Sequence, residues 1–267
     1  MSFDCKRMKS ELRAGLSQSA SMTVGESPVD VMGIGLEYLD LREYRYGDDV
    51  RRVDWRASAR SVDERLFVKV YRVERRVQVN LVVDLTSSMG FKEKPFILAR
   101  ALGIVLGLAE KLKDVIRPVV LADRVRVYPL MGGEKASYLL LKEACSGFRG
   151  GLTLGELRLR RSVIFTDPAQ PLEEVDRARR MGASLFLVTS KGELGLPVSG
   201  IGEVGDLESG LNGFYDLNEF STAVRIHLNS IKALLGNRGA LLTEELVRRP
   251  LSVALPYVRW TRGGVSY

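Results

Sequence analysis

The segment VVDLTSSM sets Asp84, Thr86 and Ser88 at alternate positions, directly behind a short β-branched run. One carboxylate and two hydroxyls at i, i+2 and i+4 of an extended turn can aim their oxygens the same way. That is a hard-oxygen set suited to Mg²⁺ or Mn²⁺, which take one or two protein carboxylates and keep several waters. A second apolar run, SVIFTD, ends in Asp167 and would bring a further carboxylate from a neighbouring strand end. The hydroxyls also have a plainer use, since Thr86 or Ser88 can cap the helix that follows. Phosphohydrolases place an aspartate at a strand end too, as a phosphoryl acceptor. They need a Lys or Arg near the phosphate and usually another Asp soon after, whereas Leu85 and Thr86 follow here.

Other catalytic groupings lack their parts. The single histidine, His227, lies in TAVRIHLNSIKALL among apolar residues and reads as a packed or surface helix residue. One histidine rules out a multi-His zinc site. Without a Gly-x-Ser-x-Gly elbow a Ser-His-Asp hydrolase has no support. No Gly-x-x-x-x-Gly-Lys-Ser/Thr occurs, and the Gly-Ile-Gly at 33–35 has neither a strand before it nor a helix after it. A non-enzymatic protein is expected.

The segment DLREYRYGDDVRRVDWRASAR, from Asp40 to Arg60, poses a different question. Arg51, Arg52, Arg56 and Arg60, with Tyr44, Tyr46 and Trp55, have the chemistry to contact phosphates and stack on bases. Arg158, Arg160 and Arg161 form a second basic group. A net charge of +7 and a pI near 9.5 agree with an anionic partner. Between Arg42 and Arg76, however, Lys and Arg are interleaved with Asp and Glu. Interleaving favours internal pairing of the arginines with Glu43, Asp48, Asp49 and Asp54, with Trp55 packed on the domain. Nucleic-acid binding by residues 42–76 is the alternative.

At 45% apolar and 27% charged residues the chain has a globular composition. No apolar run is long enough to span a bilayer. The first residues, MSFDCKRMKSELRAGLSQSA, lack the apolar core of a signal peptide, so the expected location is the cytoplasm. Cys5 and Cys145 form no Cys-x-x-Cys pair, and in a reducing cytosol two ordinary thiols are expected.

The elements that must carry these residues follow from periodicity. Residues 1–24 read as a short helix with a Ser-rich end, and 25–76 as an irregular, partly β extension. That extension ends in RLFVKVYRVERR, whose alternation predicts a half-buried strand. VQVNLVVD has the continuous apolar character of a strand covered on both faces. A helix is predicted from Lys94 to Lys113, with Phe96, Ala99, Leu102, Leu106 and Ala109 as its apolar stripe. VIRPVVLA and RVRVYPL predict two strands joined by a turn at 122–124, and a helix follows from Glu134 to Phe148. SVIFTD and ASLFLVTS are further buried strands, with the helix LEEVDRARRMG between them. Residues 191–213 read as a glycine-rich loop with an edge strand, and a helix spans Asn218 to Leu235. LSVALPYVRW reads as a last strand or extended tail. Strands alternating with helices predict an α/β fold, a doubly wound and mainly parallel sheet at 77–235. An N-terminal extension (1–76) and a C-terminal tail (236–267) would flank it. Ligands of such sheets bind at the carboxyl ends of strands, which points to Asp84 and Asp167.

Two resemblances add to this reading. Asp-Leu-Thr-Ser-Ser is similar to the Asp-x-Ser/Thr-x-Ser pattern of the metal-ion-dependent adhesion site of von Willebrand factor A domains. REYRYGDDVRRVDWRASAR, continued by LFVKVYRVE, resembles the most diagnostic stretch of the domain of unknown function 58 family, over about residues 30–190 and more weakly to 235. The resemblance implies a von Willebrand factor A-like, Rossmann-like domain. It also implies Mg²⁺ or Mn²⁺ held by Asp84, Thr86, Ser88 and Asp167, with an open position that a partner's acidic residue fills. The family's Gly-Gly-Thr-Asp-Leu reads GGLTL here, so Leu152 takes the threonine position and Thr153 the aspartate position. Thr153 is then the remaining candidate ligand of that loop. The resemblance further implies a MoxR-type AAA+ ATPase as partner, acting with this chain on a protein client. Arg42, Glu43, Tyr44, Gly47, Asp48, Asp49, Arg51, Asp54, Trp55 and Arg60 would be its partner-binding or scaffold residues.

Overall fold

The structure is a computed structural model. It describes residues 4–22, 38–45, 48, 53–61, 63, 65–71, 77–157, 161–193, 199–207, 210–237 and 239–262. Gly47, Asp49 and Arg51, and with them Tyr46, Arg52, Arg158 and Arg160, lie outside the described residues. The chain divides into two compact units, Met22–Arg75 and the combination of Met1–Ser21 with Arg76–Tyr267.

The larger unit is built on a six-stranded sheet. Its strands are β3 (Gln78–Asp84), β4 (Val115–Leu121), β5 (Val125–Val127), β6 (Ser162–Thr166), β7 (Ser184–Val188) and β10 (Gly239–Leu242). The order is β10-β7-β6-β3-β4-β5, and only β5 runs antiparallel, as a hairpin partner of β4. β3 and β4 therefore extend the sheet one way, and β6, β7 and β10 the other. Strand order reverses between β3 and β6, where Val82 pairs with Ile164 and Val83 with Phe165. A crevice at the carboxyl ends is expected at that reversal.

Alternation along the strands serves both faces. Val82, Val119, Ile164, Leu185 and Leu187 form one core with Val175, Ile231 and Leu235. These last come from α5 (Leu172–Arg180) and α6 (Leu217–Leu235). Leu81, Val83, Val163, Phe165 and Phe186 are buried on the opposite side, where Phe165 and Phe186 stack with ring centres 4.8 Å apart. That face is covered by α3 (Lys94–Lys111), with α4 (Gly133–Cys145) and α8 (Leu251–Arg262) beside it. α3 buries far more than the expected stripe. Ile97, Leu98, Ala101, Ile104, Val105 and Leu108 are also covered, because a further helix lies on its outer side.

That helix is α1 (Cys5–Ser21), which belongs to the larger unit and not to the extension. It approaches α3 through glycine. A Cβ on Gly103 would overlap the carbonyl oxygen of Leu12 and come within 3.0 Å of the Gly15 Cα. Gly107 meets Ser19 in the same way. The packing also corrects the expectation of two free thiols. Cys5 opens α1, Cys145 closes α4, and the two form a disulfide with their Cα atoms 5.4 Å apart. Their separation of 140 residues conceals a contact that helix packing creates.

The C-terminal tail also differs from expectation. Residues 239–242 add the outer strand β10 beside β7, a one-turn helix α7 (Glu244–Val247) follows, and LSVALPYVRW lies in the helix α8, with Pro256 inside it. Tyr257 is fully buried and donates to Asp114 Oδ2 at 2.9 Å, while Arg262 donates to Oδ1 at 2.8 Å. Val77 N donates to the same Oδ1, so Asp114 ties α8 to the start of β3. The glycine-rich region holds a separate antiparallel hairpin of β8 (Ile201–Gly205) and β9 (Asn212–Asp216).

Within the smaller unit, β1 (Tyr38–Glu43) pairs antiparallel with β2 (Phe67–Tyr71). A single turn of helix, α2 (Trp55–Ser58), follows an isolated bridge from Val53 to Val68.

Candidate functional site

Asp84 is the last residue of β3 and is fully buried. Its Oδ1 accepts from the backbone N–H of Thr86 at 2.9 Å and from the Thr86 hydroxyl at 2.6 Å. Its Oδ2 accepts from the Thr166 hydroxyl on β6 at 2.7 Å. Thr86 Oγ1 lies 3.3 Å from Ser88 Oγ. Asp84, Thr86 and Ser88 thus share one hydrogen-bonded group. Neither hydroxyl caps a helix. Thr86 precedes the 3-10 turn at Ser87–Gly90 without a capping bond from its side chain, and α3 begins later, after Glu93. Burial pushes the Asp84 carboxyl up to about 6, against the hydrogen bonds from Thr86 and Thr166, and the nearby charge of Asp167 adds to the rise.

Asp167 follows β6 and is buried beside this group. Its Oδ1 accepts from Ala169 N at 2.6 Å, and its Oδ2 accepts from Lys94 Nζ. Lys94 opens α3 and is fully buried, and its ammonium also pairs with Glu193 Oε1. Glu193 in turn accepts from Ser190 N at 2.8 Å and from the Thr189 hydroxyl at 3.1 Å through Oε2. The loop after β7 is drawn onto the start of α3 a second time, by Lys191 N donating to Glu93 Oε1 at 2.9 Å. Lys94 and Glu193 escape the sequence reading. A lysine in FKEKPF resembles a solvated charge, and a glutamate in a glycine-rich loop carries no motif.

Thr153 stands apart from this group. Leu154 enters the core and Leu152 packs against it, which turns the residue between them to α5. Its hydroxyl donates to Glu174 Oε1 at 2.9 Å and accepts from Gly155 N at 3.2 Å. The glycine pair before it does border the site. Gly150 O accepts from Ser87 N, and Gly150 has a positive φ of 80° where a side chain would collide with Ala122 O. His227 Nε2 donates to the carbonyl oxygen of Pro168 at 2.9 Å, a backbone contact beside the Asp167 loop.

A divalent ion of the adhesion-site kind would need open lone pairs on Asp84 and Asp167 together. The residues present do not fit one. Lys94 brings a buried positive charge onto Asp167, where it would repel a cation, and Thr153 is engaged by Glu174. Among the described residues no group of three or more His, Cys, Asp or Glu side chains is placed to hold a metal.

In the smaller unit the charged segment pairs internally where it is described. Arg42 meets Asp48 through two hydrogen bonds of 2.6 and 2.7 Å, and Arg45 N adds a third at 2.8 Å. The Arg42 guanidinium, helped by Arg45 N, holds Asp48 down to about 2. Glu43 pairs with Arg65 at 2.6 Å. Asp54 caps α2, its Oδ1 accepting from Arg56 N and Ala57 N. Tyr44 N donates to Leu66 O, and Arg60 is exposed. Trp55 is 65% exposed, contrary to the packing expected of it.

No helix among the described residues is long and apolar enough to cross a membrane. The uncharacterised protein Rv1480 of Mycobacterium tuberculosis H37Rv is 26% identical, over 79% of this chain and 75% of the relative, and the same values hold for the uncharacterised protein Mb1516 of Mycobacterium bovis. Among solved structures, an aerotolerance-related membrane protein of Bacteroides fragilis NCTC 9343 is 16% identical, with a TM-score of 0.36 over 59% of this chain and 94% of that one. The conserved hypothetical protein BatB of Bacteroides thetaiotaomicron is also 16% identical, with a TM-score of 0.39 over 67% and 98%. The family profile described as "Protein of unknown function DUF58" matches residues 40–230, which take in the charged segment, Asp84, Lys94, Asp167 and Glu193. The chain belongs to the DUF58 family.

Proposed function

We propose that this chain is a non-enzymatic protein-interaction module whose contact region is the carboxyl edge of the sheet between β3 and β6. In this reading it is a cytoplasmic adaptor for a MoxR-type AAA+ ATPase acting on a protein client, within a von Willebrand factor A-like fold. One observation carries the reading. At the crevice where ligands of such sheets bind, the hydroxyls of Thr86 and Thr166 are spent on Asp84, and Asp167 is spent on Lys94. A site arranged so holds its loops in one shape, and shape is what a partner surface reads. The ATPase follows from family resemblance.

The test is direct association between purified full-length chain and the MoxR-type ATPase of the same organism, by calorimetry. Expected is binding that weakens about tenfold, or 1.4 kcal/mol, when the exposed Lys191 at the rim becomes Glu. No heat at any accessible concentration sinks the reading.

A second reading, oligonucleotide binding by residues 42–76, draws on the exposure of Trp55 together with Arg56 and Arg60. It requires salt-sensitive binding that Trp55→Ala and Arg60→Ala weaken. Absence of binding at low salt removes it.

A further inference from the structure

Lys94 is buried between two carboxylates, those of Asp167 and Glu193. Removing an ammonium from water is costly unless excellent partners replace the water. Lys94 also sits in the first turn of α3, where the helix dipole disfavours a positive charge. A buried lysine in that position would not persist as a spare surface charge. It is retained with two carboxylates from two loops, after β6 and after β7, on its one ammonium.

We infer that the Lys94 ammonium is the resident cation of this site, doing for Asp167 and Glu193 what a divalent metal does in an adhesion-type site. The inference rests on the interaction reading above and deepens it: the partner face is complete without metal. Three loops are brought to one point by the charge. These are the 3-10 turn leading into α3, the Asp167 loop, and the Thr189–Glu193 loop, whose second carboxylate oxygen binds Thr189 and Ser190. Asp84 lies next to them but is satisfied by hydroxyls and a backbone N–H, not by the ammonium. No coordination position is left open for a partner's acidic residue, so recognition proceeds through the surface these loops present.

The full chain is titrated with Mn²⁺ alone, following the loss of the free-ion electron paramagnetic resonance signal. The wild type is expected to bind no Mn²⁺ up to millimolar concentration. Lys94→Met, which keeps the unbranched stem out to the ε position and removes the ammonium, is expected to gain Mn²⁺ binding that is lost again when Asp167→Asn is added. Two results overturn the inference: Mn²⁺ binding by the wild type that Asp84→Asn abolishes, or a folded Lys94→Met protein, judged by circular dichroism, that gains no Mn²⁺ binding. If Lys94→Met does not fold, the wild-type titration with and without Asp84→Asn decides alone. Association with the purified ATPase is measured in parallel, with and without EDTA. Unchanged affinity supports the resident lysine, and loss of affinity in EDTA overturns it while leaving the interaction reading standing. If there is no association under either condition, the interaction reading fails and the Mn²⁺ titration still decides the role of Lys94.

Discussion

Thr166 donates to Asp84 across the boundary between β6 and β3 at 2.7 Å, so one strand end supplies the hydrogen bond that another strand end needs. Hydroxyls serve Asp84, and an ammonium serves Asp167. The two carboxylates stand side by side under different electrostatic regimes.

A pH dependence follows for Asp84. Its folded-state pKa of about 6 lies above the ordinary 3.8, so the fold binds the proton more tightly than the unfolded chain does. Its contribution to stability is therefore fully present below 3.8 and lost as pH rises to about 6. The loss is about 3 kcal/mol for a shift of about two units. Urea unfolding at about pH 4 and about pH 7 should show this fall in the wild type and a much shallower one in Asp84→Asn. Parallel slopes in the two proteins would count against the assignment.

The contact between α1 and α3 tolerates no side chain at Gly103, because the obstacle is the backbone of Leu12. Gly103→Val should destabilise by about 1–3 kcal/mol or more, with helix α1 losing protection first. Guanidinium unfolding gives the total, and hydrogen exchange over residues 5–21 shows where it is lost. Wild-type exchange in that helix would refute the contact.

Tyr257→Phe keeps the ring and deletes one donor to Asp114. Arg262 and Val77 N remain on the other oxygen, so Oδ2 alone is left short. The expected cost is about 1–3 kcal/mol, read as a lower denaturation midpoint with unchanged far-ultraviolet circular dichroism. An equal midpoint would mean that the bond contributes nothing net.

The Cys5–Cys145 bond predicts no reactive thiol in protein unfolded without reductant, and two after reduction. Cys145→Ser should cost about 2–4 kcal/mol of stability. Thiol titration of protein freshly prepared from its native cells also tests the cytoplasmic assignment, because reducing compartments rarely keep such bonds outside hyperthermophiles.

What was legible in the sequence was whatever repeats locally. The apolar runs ending in Asp84 and Asp167 declare buried parallel strands, and their adjacency follows from the sheet's winding. The partners of Asp167 were not legible. Lys94 is recognisable as buried only once α3 is laid on the sheet, and Glu193 only once the loop after β7 folds back. α8 was misread because Val253, Pro256 and Val258 favour extended backbone, while the bond from Tyr257 to Asp114 spans 143 residues. The GGLTL loop showed its departure in sequence, but its geometry depends on Leu154 entering the core and Glu174 waiting on α5.

The disulfide closes a covalent ring that contains the whole of Met22–Arg75. A protease cutting once within that stretch would not release the N-terminal fragment. On a denaturing gel the nicked chain would separate into two bands only after reduction, because the disulfide holds the fragment bearing α1 to the end of α4. The first helix is thus anchored, by its disulfide and by its packing on α3, independently of the smaller unit that follows it in the chain.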